Sequence, residues 1–267
     1  MNPIILNKKG KHMNARVSFL YGVAVYGACL LTLLYLIGFT GNLWVPASVD
    51  HGHAAPWPEA VCVDLFLLVL FGVQHSVMAR GSFKRWWTRI VPPAVERSTF
   101  VLATCLVLAL LFWQWRTLPE PVVWRVDHPR AAEVLVGLYW FGWALVLLST
   151  FLINHFELFG LQQVFADLTG RDMPAARFRT PSLYRYVRHP LYLGLLIAFW
   201  SVPVMTAGHV LFSAGASAYI FVGIWFEERD LVALFGGRYR RYRQEVGMLL
   251  PVRGRMRIKG IKGDVAN

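Results

Sequence analysis

Residues 191–226 read LYLGLLIAFWSVPVMTAGHVLFSAGASAYIFVGIWF, 36 residues without a single Lys, Arg, Asp or Glu. As one helix this stretch would run about 54 Å, whereas the hydrocarbon core of a bilayer is about 30 Å thick. Pro203 removes a backbone donor in its middle, and Gly208 and His209 follow. The stretch is therefore predicted to break near residues 206–209 into a helical hairpin. Outward from it, residues 17–39, 61–79, 98–115 and 134–153 form four more apolar runs. Each approaches the ~20 residues a spanning helix needs. The expected fold class is all-α: a polytopic helical membrane protein with about five to six transmembrane helices, including the C-terminal hairpin. Residues 227–244 are predicted to form a cytoplasmic amphipathic helix interrupted at Gly236-Gly237. The chain thus divides into a four-helix region (1–153), a region of candidate chemistry (154–251) and a basic tail (252–267) placed near anionic headgroups.

Composition agrees with this reading. The chain has 267 residues, of which 56% are hydrophobic and 16% charged, with a mean hydropathy of +0.46. Soluble domains are about 45–50% apolar and about 25% charged. Disorder, collagen-like repeats and an ordinary soluble enzyme are excluded. The net charge of +12 suggests nucleic acid at first sight. Its distribution argues otherwise: 24 of the 27 Lys and Arg fall in the N-terminal tail, alternate loops and the C-terminal tail, and three fall on the other side. That is a positive-inside pattern with both termini cytoplasmic. The basic start (Lys8, Lys9, Lys11, Arg16) leads into a run too long for a signal peptide, so the first span is expected to be retained. Cys29, Cys62 and Cys105 lie in apolar runs without metal spacing and are expected to be small core residues, not a disulfide. No internal repeat is visible, which weakens a transporter reading.

Polar residues at span edges cluster on the predicted cytoplasmic side: Gln74, His75, Asn154, His155, Glu157, Gln162, Gln163, Arg188, His189, Glu227 and Glu228. Such residues are costly in a bilayer and are functional candidates by default. Four segments supply them to one face. In Arg188-His189-Pro190-Leu191-Tyr192-Leu193-Gly194, Pro190 suits a first helical turn, and the free N–H groups beside Arg188 suit an anion. Gly194 allows a ligand or a helix to approach closely. Glu227-Glu228 needs cations or donors at a membrane edge, from a ligand or from Arg229, Arg238 or Arg188. Tyr239 and Tyr242 share a helix face and could line a pocket or sit in an aromatic belt. His155 with Glu157 beside it is the first candidate proton acceptor, and His75 and Tyr192 are the next. No HExxH, cysteine pair or regular histidine spacing indicates a metal, and no phosphate loop is present.

RHPLYLG, the hairpin, and EERDLVALFGGRYRRYRQEV resemble the isoprenylcysteine carboxyl methyltransferase-like superfamily of integral membrane methyltransferases. FGVQHSVMAR (71–80) and NHFELFGLQQ (154–163) look like the bacterial methanethiol S-methyltransferases. The resemblance implies S-adenosylmethionine as methyl donor, S-adenosylhomocysteine as product and a bacterial inner membrane. It implies a cofactor site from Tyr184, Arg188, His189, Tyr192, Gly194, Glu227, Glu228, Tyr239 and Tyr242. Gln74, Asn154, Gln162 and Gln163 would then shape a small-thiol pocket walled by Phe156, Phe159 and Trp200. The expected partners are the thiol and the bilayer; no feature points to nucleic acid or a protein partner. A lipid-amine or prenylcysteine methyltransferase, a sterol-type reductase and a non-catalytic or transport protein remain as alternatives.

Overall fold

The computed structural model describes residues 13–175 and 178–251. The basic tail 252–267, Arg177 and Lys8, Lys9 and Lys11 lie outside the described residues. The helices in chain order are α1 (Ala15–Gly41), α2 (Trp57–Ala79), α3 (Gly81–Trp87), α4 (Glu96–Gln114), α5 (Pro129–Ile153), α6 (His155–Leu158), α7 (Leu161–Thr169), α8 (Pro190–Trp200), α9 (Ala207–Phe235) and α10 (Gly237–Glu245). Two strand pairs complete the described chain: β1 (His53–Ala54) with β2 (Arg116–Thr117), and β3 (Val122–Arg125) with β4 (Val204–Thr206). Five helices are long and apolar enough to cross a membrane: α1, α2, α5, α9, and α4 with its preceding turn. Their outward residues are apolar, as with Leu31 (69% exposed) and Phe66 (64% exposed), which suits a bundle whose solvent is lipid. Cys29 and Cys105 are buried, but Cys62 faces outward and is no core residue.

The hairpin differs from the expectation in two ways. Its break falls earlier, between Trp200 and Ala207, and its arms are unequal. Pro203 disfavours helix at Val202, and the chain runs extended into β4 instead. Irregular backbone is tolerated at membrane depth only when protein satisfies it. That condition is met here: Trp124 Nε1 donates to Val202 O (3.1 Å), and Val126 N donates to Pro203 O (2.9 Å). His209 Nε2 and Ser213 Oγ donate to Phe199 O (3.1 and 2.8 Å). The 11 residues of α8 cover only about 16 Å, and about 20 Å of extended chain completes the crossing. The second expectation corrected is the amphipathic helix. Glu227 and Glu228 belong to the last turns of α9, and only α10 lies beyond the break at Gly236, which has φ +58°.

The passes alternate, so the bundle has two ends. One holds the start of α1, α3, α6, α7, the start of α8, and α10; the other holds both strand pairs. At the second end Asp50 is a junction. It accepts from Asn42 Nδ2 (2.7 Å) and from the Thr206 hydroxyl, and lies 3.8 Å from His209 Nδ1. Burial alone would raise the Asp50 pKa, but these donors outweigh it and hold the carboxyl below its usual range.

Aromatics fill the core: Phe39 of α1, Phe112 of α4, Trp115 after it, Phe199 of α8 and Phe212 of α9. The tightest crossing joins α5 and α8. A Cβ built on Gly142 would lie 2.6 Å from Gly194 O, and one on Gly194 would lie 2.7 Å from Gly142 O. The space at Gly194 is therefore filled by α5. Gly194→Ala should destabilise the detergent-solubilised protein by about 1–3 kcal/mol through overpacking, read as a lowered thermal midpoint. An unchanged midpoint would mean that the helices separate freely there.

Candidate active site

A buried charged cluster lies where α8 begins. Glu228 of α9 is 6% exposed. Its Oε1 lies 2.8 Å from Arg188 Nε and 3.1 Å from His189 Nε2, and its Oε2 lies 3.0 Å from Arg243 Nε. The Arg188 Nε contact is an ion pair out of hydrogen-bond alignment. Arg188 Nη1 donates instead to Arg243 O (2.6 Å) and Val246 O (3.1 Å). Backbone pairing reinforces this, with Arg188 N donating to Gly247 O and His189 N to Met248 O at 2.9 and 3.1 Å. Of the cations the sequence suggested for the carboxylate pair, Arg188 is present. Arg243 was missed, although it falls one helical turn after Tyr239.

Glu227 has a different environment. Its side chain is 44% exposed, and the basic group within 4 Å of it among the described residues is His189 Nδ1 at 3.9 Å. The Tyr192 and Tyr184 hydroxyls lie beside it. The Tyr184 hydroxyl is buried and finds no hydrogen-bond partner among the described residues, while its carbonyl accepts from the Tyr242 hydroxyl. Phe178 packs edge to face on Tyr239 and Tyr242, which are tilted to one another, with centroids 5.4–6.0 Å apart. Burial, then the Glu227 charge, pushes the Tyr184 phenol up. Tyr239 rises by burial and the two carboxylates. Tyr242 is pushed up to about 12, mainly by burial. At neutral pH all three remain donors.

His155 is 4% exposed and stacks on Phe151 at 4.2 Å. Its Nδ1 meets Thr150 Oγ1 at 2.8 Å and its Nε2 meets Tyr26 OH at 2.8 Å. Thr150 already donates to Leu147 O (2.7 Å), so His155 Nδ1 donates and Nε2 accepts from Tyr26. Both nitrogens are used. The expected orientation by Glu157 does not occur, because residues two apart on a helix do not face one another. Glu157 accepts instead from Asn154 Nδ2 (2.7 Å). Asn154 caps α6 and reaches Gln162 (2.6 Å), and Gln163 donates to Glu157 O (3.1 Å). These four polar residues close the α5–α6–α7 corner.

His75 of α2 has the opposite hydrogen-bond accounting. Thr104 Oγ1 donates to Phe100 O (3.0 Å), so at 3.3 Å it accepts from His75 Nδ1. That leaves the Nε2 lone pair without a partner among the described residues. Phe71, Phe100 and Tyr219 surround the ring with centroids at 5.6, 4.8 and 6.2 Å. Gln74 Nε2 contacts Met78 Sδ (3.2 Å), and its Oε1 is buried and unpartnered. Phe156 and Phe159 wall His155, whereas Trp200 binds Ser217 toward the far end. The predicted aromatic pocket is thus not one place.

The chain is 55% identical over 89% of its length to methanethiol S-methyltransferase 1 of Bradyrhizobium diazoefficiens, covering 83% of that protein. It is 54% identical to methanethiol S-methyltransferase of Mycobacterium tuberculosis, over 90% of this chain and 98% of that one. The chain belongs to the methanethiol S-methyltransferase family. This family membership fits an integral membrane enzyme that uses a methyl donor. A more distant likeness, 31% identity over 70% of this chain and 72% of the other, links it to Nurim of Mus musculus. No family model and no solved structure matches.

Removing Glu228 should leave Arg188 and His189 as unpaired buried groups. Glu228→Ala is expected to cost about 3–5 kcal/mol, seen as a large fall in thermal midpoint; a loss under 1 kcal/mol would make the cluster a surface feature. Burial also holds the His155 imidazole below its usual pKa. Its stabilisation is therefore full above about pH 6.5 and is lost as pH falls through the folded-state value. The midpoint should drop between pH 7.5 and 5.5, and less so in His155→Gln. Equal slopes would show that His155 does not carry the effect.

Proposed function

We propose that the protein is an S-adenosylmethionine-dependent methyltransferase of the bacterial inner membrane, converting methanethiol to dimethyl sulfide. Both termini and the site face the cytoplasm on this reading, in line with the 24-to-3 partition of Lys and Arg. The observation that carries it is the pairing of an occupied carboxylate, Glu228, with an open one, Glu227, in a chain about half identical to proteins named for this reaction.

The donor has a carboxylate, an ammonium group, a ribose diol, a purine and a sulfonium. The residues present fit it. Glu227 is free to accept from an amine or a diol, and the orphaned Tyr184 hydroxyl can donate beside it. Arg188 is engaged by Glu228, so positive charge for a carboxylate would come from the half-exposed Arg243 beside it. Phe178, Tyr239 and Tyr242 offer aromatic faces for a flat base. Tyr192 and its neighbours suit a cation by cation–π attraction. When bound, the donor supplies an electrophilic methyl group.

His75 is the base this reading selects. A thiol with pKa near 8.5 is mostly protonated at pH 7, and the free Nε2 of His75 can take its proton. Thr104 fixes the tautomer that leaves this lone pair open. Phe71 and Phe100 keep water from the ring, which favours a step in which opposite charges cancel. His155, with both nitrogens engaged, serves the α1–α5–α6 junction instead.

The test is headspace gas chromatography on purified protein given S-adenosylmethionine and methanethiol. Dimethyl sulfide should appear, and His75→Ala should lower its rate by about 10²- to 10⁴-fold, the range for a general base. Glu227→Gln should weaken S-adenosylhomocysteine binding at least about tenfold while leaving the thermal midpoint unchanged. Wild-type protein that binds S-adenosylhomocysteine but makes no dimethyl sulfide would overturn the substrate.

A further inference from the structure

We infer that Tyr219 receives the thiol acceptor, donating a hydrogen bond from its phenol to the sulfur; this rests on the methyl-transfer reading above. Gly215, Tyr219, Gly223 and Glu227 recur every four residues on α9 and so form one inclined row along it. Tyr219 is the one side chain of size between the glycines, and Glu227 ends the row at the candidate donor site. Its ring lies along α2. A Cβ on Gly72 would lie 3.1 Å from Tyr219 Cδ2, so Gly72 gives the ring its place. One turn nearer the basic end, Ser76 Oγ donates to the Tyr219 hydroxyl at 3.4 Å. The hydroxyl therefore points toward Glu227 rather than toward the strand end of the bundle.

Proton accounting makes this hydroxyl useful. Ser76 donates to the phenol oxygen, so the phenol's own hydrogen is unspent, and no acceptor takes it among the described residues. His75 stands edge-on to the same ring with its Nε2 lone pair open. A donor and an acceptor are thus carried by two neighbouring rings. Beside them, a Cβ on Gly223 would meet, among the described residues, only the Tyr192 hydroxyl, at 3.9 Å. The face is open between Tyr219 and Glu227, where an acceptor and a donor would have to meet.

The step balances without redox chemistry. The thiol proton passes to His75 Nε2, the sulfur lone pair forms the new sulfur–carbon bond, and the donor's sulfur–carbon bond breaks with its electron pair left on that sulfur. Tyr219 keeps its proton throughout. Its hydrogen bond is strongest to the thiolate, so it lowers the apparent pKa of the bound thiol as well as holding it.

Tyr219→Phe removes only the hydroxyl. Methanethiol kcat/KM should fall about 10- to 100-fold, the effect of one hydrogen bond to a charged group. The rising limb of the pH–rate profile should move to higher pH. Titration of ethanethiol into protein loaded with S-adenosylhomocysteine should show about tenfold weaker thiol binding, with S-adenosylhomocysteine affinity and thermal midpoint unchanged. Ser76→Ala should give a smaller loss of the same kind. An unshifted pH limb and unchanged thiol affinity in Tyr219→Phe would overturn the inference. Should wild-type protein bind S-adenosylhomocysteine but make no dimethyl sulfide, the methanethiol reading fails, and the thiol titration alone decides the role of Tyr219.

Discussion

The buried carboxylate of Glu228 is the constraint on which the basic end of the molecule depends. A lone carboxylate out of water costs several kcal/mol or more, and only paired cations and donors make it tolerable. Here those partners come from two separate stretches, Arg188 and His189 before α8 and Arg243 in α10, and meet Glu228 of α9. Meeting at one carboxylate fixes where α8 starts, how α10 folds back at Gly236, and where residues 246–248 run. The neighbouring carboxylate is freed by the same geometry. Successive residues on a helix point about 100° apart, so Glu228 turned inward leaves Glu227 turned toward the Tyr184–Tyr192 side. Two adjacent acids thereby divide into a structural charge and an available one.

The histidines divide by a similar accounting. Each buried imidazole has two nitrogens, and a threonine hydroxyl that has already donated to its own helix can only accept. Thr150 acts so toward His155 and Thr104 toward His75. What differs is the other nitrogen. Tyr26 fills it at His155, and nothing among the described residues fills it at His75. A satisfied histidine rigidifies a junction, while one with a spare lone pair can do proton chemistry. Sequence cannot separate these two cases, because the deciding partners lie 29 and 129 residues away.

Much of the fold was legible because membrane spans are written in composition. The first four long helices fall within about five residues of the predicted runs, since a 20-residue apolar stretch has few alternatives in a bilayer, whereas α9 continues past the predicted end at 226 to Phe235. The hairpin was legible as a break but not in its form. Pro203 marks the interruption, whereas the extended half-crossing depends on Trp124, Val126 and β3, which no local pattern reveals. At the site, the local motifs around Arg188 and Glu227 were readable and came together. The pairings were not: Arg243 completes the charge cluster from α10, and Glu157 turns away from His155 because of helical phase. Tyr219 was passed over as one aromatic in an apolar run, though the four-residue repeat of Gly215, Tyr219, Gly223 and Glu227 was the available signal.

Depth along α9 gives the arrangement its logic. From Ala207 to Glu228 the helix rises about 32 Å, close to the thickness of the hydrocarbon core. Glu228 and Glu227 therefore stand at the water edge when Ala207 stands at the other. Tyr219 lies eight residues before Glu227, about 12 Å deeper, level with Gly72 and Ser76 of α2. A charged, water-soluble donor can reach the edge but is not stable in the interior. A small apolar thiol partitions into lipid and can reach the interior without crossing the edge. On the proposed reading, an open carboxylate at one depth and the His75–Tyr219 pair two turns below let each reactant arrive through the medium that suits it. The glycine at position 223 lies between those levels, so the face of α9 along which they would meet carries no side chain to block it.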